Sequence, residues 1–143
     1  MRFPTIFRYG ARALVQLAAT YPDRAVSARE IGEKQGISGK YLEQILRVLK
    51  SRGLVRAVRG KRGGYILTRA PGAITLKDLY ESVSGGLAPA HCVARPDSCP
   101  MRDLCPVWDT FIEVRESIEA VLGRTTVQDL LTRIEQKSAL LAP

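Results

Sequence analysis

The sequence lacks any apolar run near the ~20 residues that a helix needs to cross a bilayer. The first eight residues also lack a continuous apolar core and a small-residue cleavage site, so they do not predict a secretion signal. We therefore expect a cytoplasmic protein without a membrane span. In that compartment thiols stay reduced unless they hold a metal or sense oxidants.

Catalytic signatures are also missing. Histidine occurs once, at His91, and the sequence offers no nucleophile–base pair and no cofactor fingerprint. The pair Gly60-Lys61 does not form a phosphate-binding P-loop, because no Ser or Thr follows the lysine and no helix is predicted there. The sequence therefore predicts a protein that is not an enzyme.

Acidic residues are scarce in the first half of the chain. Residues 1–70 carry 15 Lys and Arg against four acids, a net charge of +11 within an overall +8. Residues 71–143 carry 7 Lys and Arg against 10 acids, a net charge of −3. This asymmetry indicates a module that binds a polyanion beside a module with another task.

The basic half has the pattern of a helix-turn-helix. Apolar periodicity predicts a first helix over about residues 6–20. Residues 27–30, Ser-Ala-Arg-Glu, are a capping box that begins a second helix, which stops at Gly36. A third helix is predicted from Ser38 to about Arg52. Two short helices joined by a tight turn are typical of a helix-turn-helix.

A basic hairpin follows these helices. Strands are predicted over residues 54–58 and 65–67, and the glycine-rich turn between them carries Arg59, Lys61 and Arg62. We expect a mostly α fold with a small β-hairpin wing: a winged helix-turn-helix domain over residues 1–84.

The acidic half predicts two further segments. A cysteine-rich loop spans residues 85–105, after a short helix capped by Thr75. Residues 106–143 are predicted to form a long dimerisation helix up to Gly123 and a C-terminal helix from Thr126 that frays after about residue 137. One apolar stripe runs along the long helix, and a second copy of the chain would bury it. Its members are Val107, Trp108, Phe111, Ile112, Val114, Ile118, Val121 and Leu122.

A helix-turn-helix places the N-terminal part of its second helix against base edges in the major groove. Gln44 suits adenine, Lys40 suits guanine or phosphate, and Glu43 suits cytosine while repelling phosphate. The predicted DNA-binding positions of this helix are Ser38, Lys40, Tyr41, Glu43, Gln44 and Arg47. The hairpin residues Arg59, Lys61 and Arg62 suit a minor groove or phosphates. Phosphate contacts are expected from Arg2, Arg8 and Arg12, and a dimer would read a near-palindromic double-stranded site with half-sites about 34–36 Å apart.

All three cysteines, Cys92, Cys99 and Cys105, lie in the loop. Six and five residues separate them, which is wider than the close pairs of most zinc sites but acceptable for an iron–sulfur cluster. His91 is a candidate fourth ligand, with Asp97 and Asp103 as further candidates. The alternative is a disulfide between two cysteines that acts as a redox switch.

The sequence resembles the bacterial winged-helix regulators that include the iron–sulfur assembly repressor IscR, the nitric oxide sensor NsrR and the cysteine-metabolism repressor CymR. The stretches that carry the resemblance are Gly36 to Ser38, Tyr41 to Leu46, Arg59-Gly60 and Gly63 to Tyr65, together with the cysteine loop and the helix after it. The resemblance implies a homodimer that binds promoters, with a [2Fe-2S] or [4Fe-4S] cluster on the three cysteines that controls DNA affinity.

The chain departs from this family around the fourth ligand. IscR-like proteins have a histidine three residues after the third cysteine, where this chain has Trp108, and NsrR-like proteins use an acidic residue in the first helix, where this chain has Phe7-Arg8-Tyr9. The first cysteine gap is one residue longer than usual. Cluster type, fourth ligand and signal (iron–sulfur status, redox state or nitric oxide) therefore stay open. A repressor switched by a disulfide alone is the alternative, and a small iron–sulfur electron carrier is a remote one.

Overall fold

The computed structural model describes residues 2–143; Met1, where the predicted DNA-binding domain begins, lies outside the described residues. Seven helices and one two-stranded sheet follow in chain order. Their bounds are α1 Thr5–Ala18, α2 Ala28–Gln35, α3 Gly39–Ser51, β1 Val55–Val58, β2 Gly64–Leu67, α4 Leu76–Ser84, α5 His91–Ala94, α6 Trp108–Arg124 and α7 Val127–Leu141. In the described part of the chain, no helix is both long and apolar enough to span a membrane.

The core joins the helix-turn-helix to α1 and α4. In α3, Leu42, Ile45, Leu46 and Leu49 are all fully buried, as their spacing of three and four residues predicts. They meet apolar side chains of α1 and α4 in one continuous core. This packing leaves the opposite side of α3 facing outward.

The start of α2 differs from the predicted capping box. The Ser27 hydroxyl accepts a hydrogen bond from the Glu30 backbone N–H at 3.1 Å, as expected. The Glu30 side chain does not return the bond to residue 27, because it pairs with Arg24 at 2.9 Å and Lys34 at 3.2 Å. Hydrogen bonds from Arg24 and then Lys34 lower the pKa of Glu30 to about 2. Two cations thus outcompete one backbone amide for this carboxylate.

The predicted hairpin is present, and its second strand also pairs with the segment before α2. β1 and β2 run antiparallel, with Val55 opposite Leu67 and Val58 opposite Gly64. Val26, just before α2, exchanges two backbone hydrogen bonds with Tyr65, at 2.9 and 2.8 Å. These bonds attach the base of the hairpin to the helix-turn-helix.

Gly64 permits this close approach. Its φ is +150°, and a Cβ atom there would overlap the carbonyl group of Val26. We expect Gly64→Ala to lower the free energy of unfolding by about 2 kcal/mol, because the added methyl strains the backbone and separates the hairpin from residue 26. Chemical denaturation would measure this loss. Gly72→Ala is the matched control, since a Cβ there meets open space, and an equal loss in both variants would contradict the steric explanation.

The second half of the chain corrects two predictions. The segment predicted as a loop contains the one-turn helix α5 and two 3-10 turns, Pro96–Ser98 and Arg102–Leu104; Pro96 supplies the fixed φ that starts the first of these turns. The predicted fraying after residue 137 is wrong, because α7 continues to Leu141 and three of its last four residues are Ala or Leu, which have high helix propensity.

Short links hold α4, α6 and α7 together. The Leu76 N–H donates to the Thr125 carbonyl at 2.8 Å, and the Val127 N–H donates to the Ile74 carbonyl at 2.9 Å. Thr75 and Thr126 begin α4 and α7 with complete capping boxes, as the sequence predicts for their hydroxyl caps. α7 packs on α1, so the C-terminal helix lies against the DNA-binding half of its own chain.

Candidate nucleic-acid interface

The outward face of α3 carries most of the predicted base-reading residues. Ser38, Lys40, Glu43, Gln44 and Arg47 are exposed. The Ser38 hydroxyl also caps the helix by accepting from the Tyr41 N–H at 3.4 Å. The face therefore offers a cation, an amide and a carboxylate within the first two turns, which are the groups that distinguish base edges in a major groove.

The hairpin extends this face with positive charge. Arg59, Lys61 and Arg62 are all exposed at its tip. Behind the tip, an open cleft of about 780 Å³ is lined by Lys61 and Arg62, by Arg56 and by the Arg24–Glu30 pair. Arg56, Lys61 and Arg62 form no ion pair within the described residues, whereas Arg24 pairs with Glu30. The three unpaired cations make this side of the hairpin attractive to phosphate. Arg56, which the sequence reasoning missed, adds to this surface.

Tyr41 and Arg12 make contacts within the chain that the sequence did not indicate. Tyr41 is half-buried, because its ring packs edge-on against Tyr9 with centroids 5.8 Å apart. Arg12 was expected to contact phosphate, but its Nε donates to the Gln35 side chain at 3.0 Å, and a terminal nitrogen donates to the Gln35 carbonyl. Both residues connect α1 to the turn of the helix-turn-helix. A helical pattern places such residues on a face but does not identify partners 23 residues away.

The cysteines lie in separate turns. Cys92 belongs to α5, and Cys99 and Cys105 each follow a 3-10 turn. All three are free and half-buried. Within residues 2–143, no group of three or more His, Cys, Asp or Glu side chains is assembled for a metal ion. Three thiols are suitable donors for an iron–sulfur cluster, and the loop would have to bring Cys92, Cys99 and Cys105 together around it.

The other candidate ligands point to different contacts. His91 is exposed at the first position of α5. Asp97 and Asp103 both pair with Arg102, at 3.8 and 2.9 Å, and the hydrogen bond and charge of Asp103 raise the pKa of that guanidinium. Through Asp97, Arg102 thus joins the 3-10 turn before Cys99 to the turn before Cys105.

The predicted stripe on α6 divides into two faces. Leu122 is buried and Ile118 packs against the core. Val107, Val114 and Val121 repeat every seven residues and are 46%, 40% and 46% exposed. A line of valines at heptad spacing is the pattern of a helix that packs against another helix.

A winged helix with an exposed reading helix and a cationic hairpin defines the class of DNA-binding transcriptional regulators, and the comparisons agree with this class. Residues 3–133 match the Rrf2 family, described as an iron-dependent transcriptional regulator. The chain belongs to the Rrf2 family, and it is a transcriptional regulator and not an enzyme. The family resemblance inferred from the sequence is confirmed.

Relatives in two branches have similar sequences and structures. The chain is 32% identical to the transcriptional regulator CymR of Bacillus subtilis over 91% of its length and 89% of that protein. It is 31% identical to IscR of Xenorhabdus nematophila, over 94% of its length and 82% of that protein. The structure of CymR, described as the global cysteine regulator of B. subtilis, superposes with a TM-score of 0.76 at 30% identity and covers 93% of this chain and 98% of that one. The predicted fold class is thereby confirmed.

Proposed function

We propose that this chain is a homodimeric regulator whose promoter affinity depends on the state of its cysteine loop, with an iron–sulfur cluster bound by Cys92, Cys99 and Cys105. The observation that carries the proposal is the loop itself: three free, half-buried thiols lie in the segment that joins α4 to α6. The same chain exposes a reading helix beside a cationic hairpin. A regulator of promoters acts where the chromosome lies, so we place it in the cytoplasm.

We assign base reading to α3 and backbone contacts to the hairpin. Gln44 can bond an adenine edge with two hydrogen bonds, and Lys40 can reach guanine or a phosphate. Glu43 discriminates among sequences, since an exposed carboxylate repels phosphate and accepts from cytosine. Arg59, Lys61 and Arg62 enter a minor groove or hold phosphates. Two such surfaces in a dimer match a near-palindromic site.

The exposed valines of α6 support a homodimer. Burying them against the same line on a second copy would remove apolar surface from water, which stabilises association by about 25 cal/mol per Å². Met101 and Leu104, which are exposed at the end of the loop, lie close in sequence to the first of these valines. Dimerisation would thus place the loop next to the partner subunit.

Val114→Glu is expected to raise the dimer dissociation constant about 10-fold, because it buries a carboxylate in an apolar contact. Sedimentation equilibrium would measure the shift. Ala120→Glu adds the same charge at another exposed position of α6 and serves as the control. If the two variants dimerise equally well, the valine line is not the dimer contact.

The loop has a short physical route to the reading helix. Val93 is buried, and its helix α5 packs on α6. α6 packs on α4 and forms a 3.6 Å ion pair from Lys77 to Glu119. α4 in turn packs on α3. Cys92, Cys99 and Cys105 would hold the cluster, which would supply a fixed anchor for their thiolates. Ordering of the loop would then change how α5 packs on α6 and, through α4, the tilt of α3.

A disulfide switch is the second candidate function. The CymR relatives favour it, since one structural neighbour at 28% identity is described as an oxidised form of Staphylococcus aureus CymR. The free thiols of this chain could form one disulfide and leave one cysteine unpaired. Mass spectrometry after mild oxidation without iron separates the two mechanisms, because a disulfide lowers the mass by two hydrogens and a cluster requires iron and sulfide.

Anaerobic purification with iron and sulfide counts tests the first proposal. We expect iron, sulfide and a coloured protein, and steep salt dependence of its binding to duplex DNA. If binding to duplex DNA lacks this salt dependence, the predicted contacts between the basic residues and the phosphates are absent. The small iron–sulfur electron carrier then becomes the better alternative.

A further inference from the structure

We propose that Tyr9 and Arg12 of α1 are positioning residues that hold the helix-turn-helix at the angle needed to read bases. The proposal rests on the proposed function, because it assumes that α3 enters a groove. It assigns a task to a surface of α1 that contacts both ends of the turn between α2 and α3.

Arg12 holds the first end of the turn. Its guanidinium donates to the side-chain oxygen of Gln35 at 3.0 Å and to the Gln35 carbonyl. Gln35 is the last residue of α2, where carbonyl groups lack helical partners and the helix dipole is negative. A cation there both satisfies a carbonyl and meets favourable potential. Gln35 in turn donates to Gln16 of α1 at 3.3 Å, so two α1 residues contact this helix end.

Tyr9 holds the second end. Its ring packs edge-on against Tyr41 in the first turn of α3, with an interplanar angle of 78°. The Arg12 guanidinium lies 5.4 Å from the centre of the Tyr9 ring. This distance suits a cation–π interaction. One side chain thus joins the hydrogen-bonded contact at α2 to the aromatic contact at α3.

This arrangement favours positioning over direct phosphate binding. A guanidinium whose donors already bond to a carbonyl and an amide has fewer left for DNA. Lys40 and Gln44 lie next to Tyr41 in sequence and on the following turn of α3. Hydrogen bonds to base edges tolerate donor–acceptor distances that vary by only a few tenths of an ångström. A small rotation of α3 therefore breaks base contacts, whereas contacts with phosphates, which need less exact geometry, persist.

The test compares two duplexes: one selected by the unchanged protein from a random-sequence pool, and a scrambled version. We expect Arg12→Lys and Tyr9→Leu each to weaken binding to the selected duplex about 10-fold. Binding to the scrambled duplex should stay within about 2-fold, with the salt slope unchanged. Lysine keeps the charge but loses the planar fork and the stacking. Tyr9→Phe keeps the ring and is expected to bind as the unchanged protein does.

Arg133→Lys is the control, the same substitution at an exposed arginine of α7 for which the described residues include no hydrogen-bond partner. Amide hydrogen exchange at residues 37–41 should quicken in Arg12→Lys more than at residues 45–49 of the same helix, and this difference separates local loosening from a loss of overall stability. The proposal fails if Arg12→Lys binds both duplexes normally. It also fails if Arg12→Ala weakens both duplexes equally with a salt slope smaller by about 1, which is the signature of a phosphate contact. Gln44→Ala in the same assay distinguishes a failure of this proposal from a failure of the proposed function. If Gln44→Ala also has no effect, α3 does not read bases and the proposed function fails.

Discussion

Replacing Gln44 and Arg59 together by alanine is expected to weaken binding to the selected duplex about 100-fold. Gln44 is exposed on the outward face of α3, and Arg59 is exposed at the hairpin tip. Each well-placed contact with two hydrogen bonds discriminates by about 1–3 kcal/mol, and a 100-fold loss corresponds to about 2.8 kcal/mol. Fluorescence anisotropy titration at a fixed salt concentration measures the effect.

Gln128→Ala with Arg133→Ala provides the control. These residues have the same chemistry and are exposed on α7. If the control loses as much affinity as the double variant, charge alone accounts for binding. Unchanged affinity in the double variant would mean that α3 and the hairpin do not form the DNA surface, and the regulatory role of the cysteines would then lack an output.

Local pattern made the DNA-binding half predictable. The inward positions of α3 follow from the spacing of four apolar residues, and its start follows from Ser38 as a cap. The hairpin follows from two short apolar strands around a turn rich in glycine. Each of these signals involves residues close in sequence, where propensity and periodicity determine the outcome.

Competition between side chains for the same partner made other contacts unpredictable. Glu30 was expected to complete a capping box, but Arg24 and Lys34 take its carboxylate. Arg12 was expected at a phosphate, but Gln35 takes its guanidinium. Gln35 lies 23 residues from Arg12 and is brought close by tertiary structure, so no local window contains it. Arg24 and Lys34 lie within six residues of Glu30, but the capping-box pattern does not weigh their charges against the backbone amide.

The α6 stripe illustrates the same limit on a larger scale. Periodicity identifies one apolar face, but it does not divide the face between the chain's own core and a second copy. Leu122 packs inward while Val114 stays exposed, because the face of α6 that carries Leu122 and Ile118 packs against the core and α4. Only the valines outside that contact are left for a partner.

Replacing Cys92, Cys99 and Cys105 together by serine is expected to abolish the response of DNA binding to iron and sulfide. In the unchanged protein we expect about a 50-fold difference in affinity for the selected duplex between the iron-loaded and iron-free forms. This difference is about 2.3 kcal/mol, within the ordinary range of about 1–3 kcal/mol for allosteric coupling. Anisotropy titrations under anaerobic conditions, paired with iron and sulfide counts, would measure both quantities.

The loop that carries the thiols is held partly by exposed ion pairs. Each thiol lies in its own turn, and Arg102 joins the turn before Cys99 to the turn before Cys105 through Asp97. Drawing the thiolates together would break or rearrange exposed ion pairs, which are worth only about 0–1 kcal/mol each. The loop can therefore close at small cost. Its movement can reach α6 through the buried Val93. Met101→Ser places the same new side chain at an exposed position of this loop and should keep the full response. A colourless, iron-free protein that binds DNA equally well when reduced or oxidised would contradict both the cluster sensor and the disulfide switch. A response to oxidants without iron would favour the disulfide switch, because that mechanism needs only the cysteines themselves.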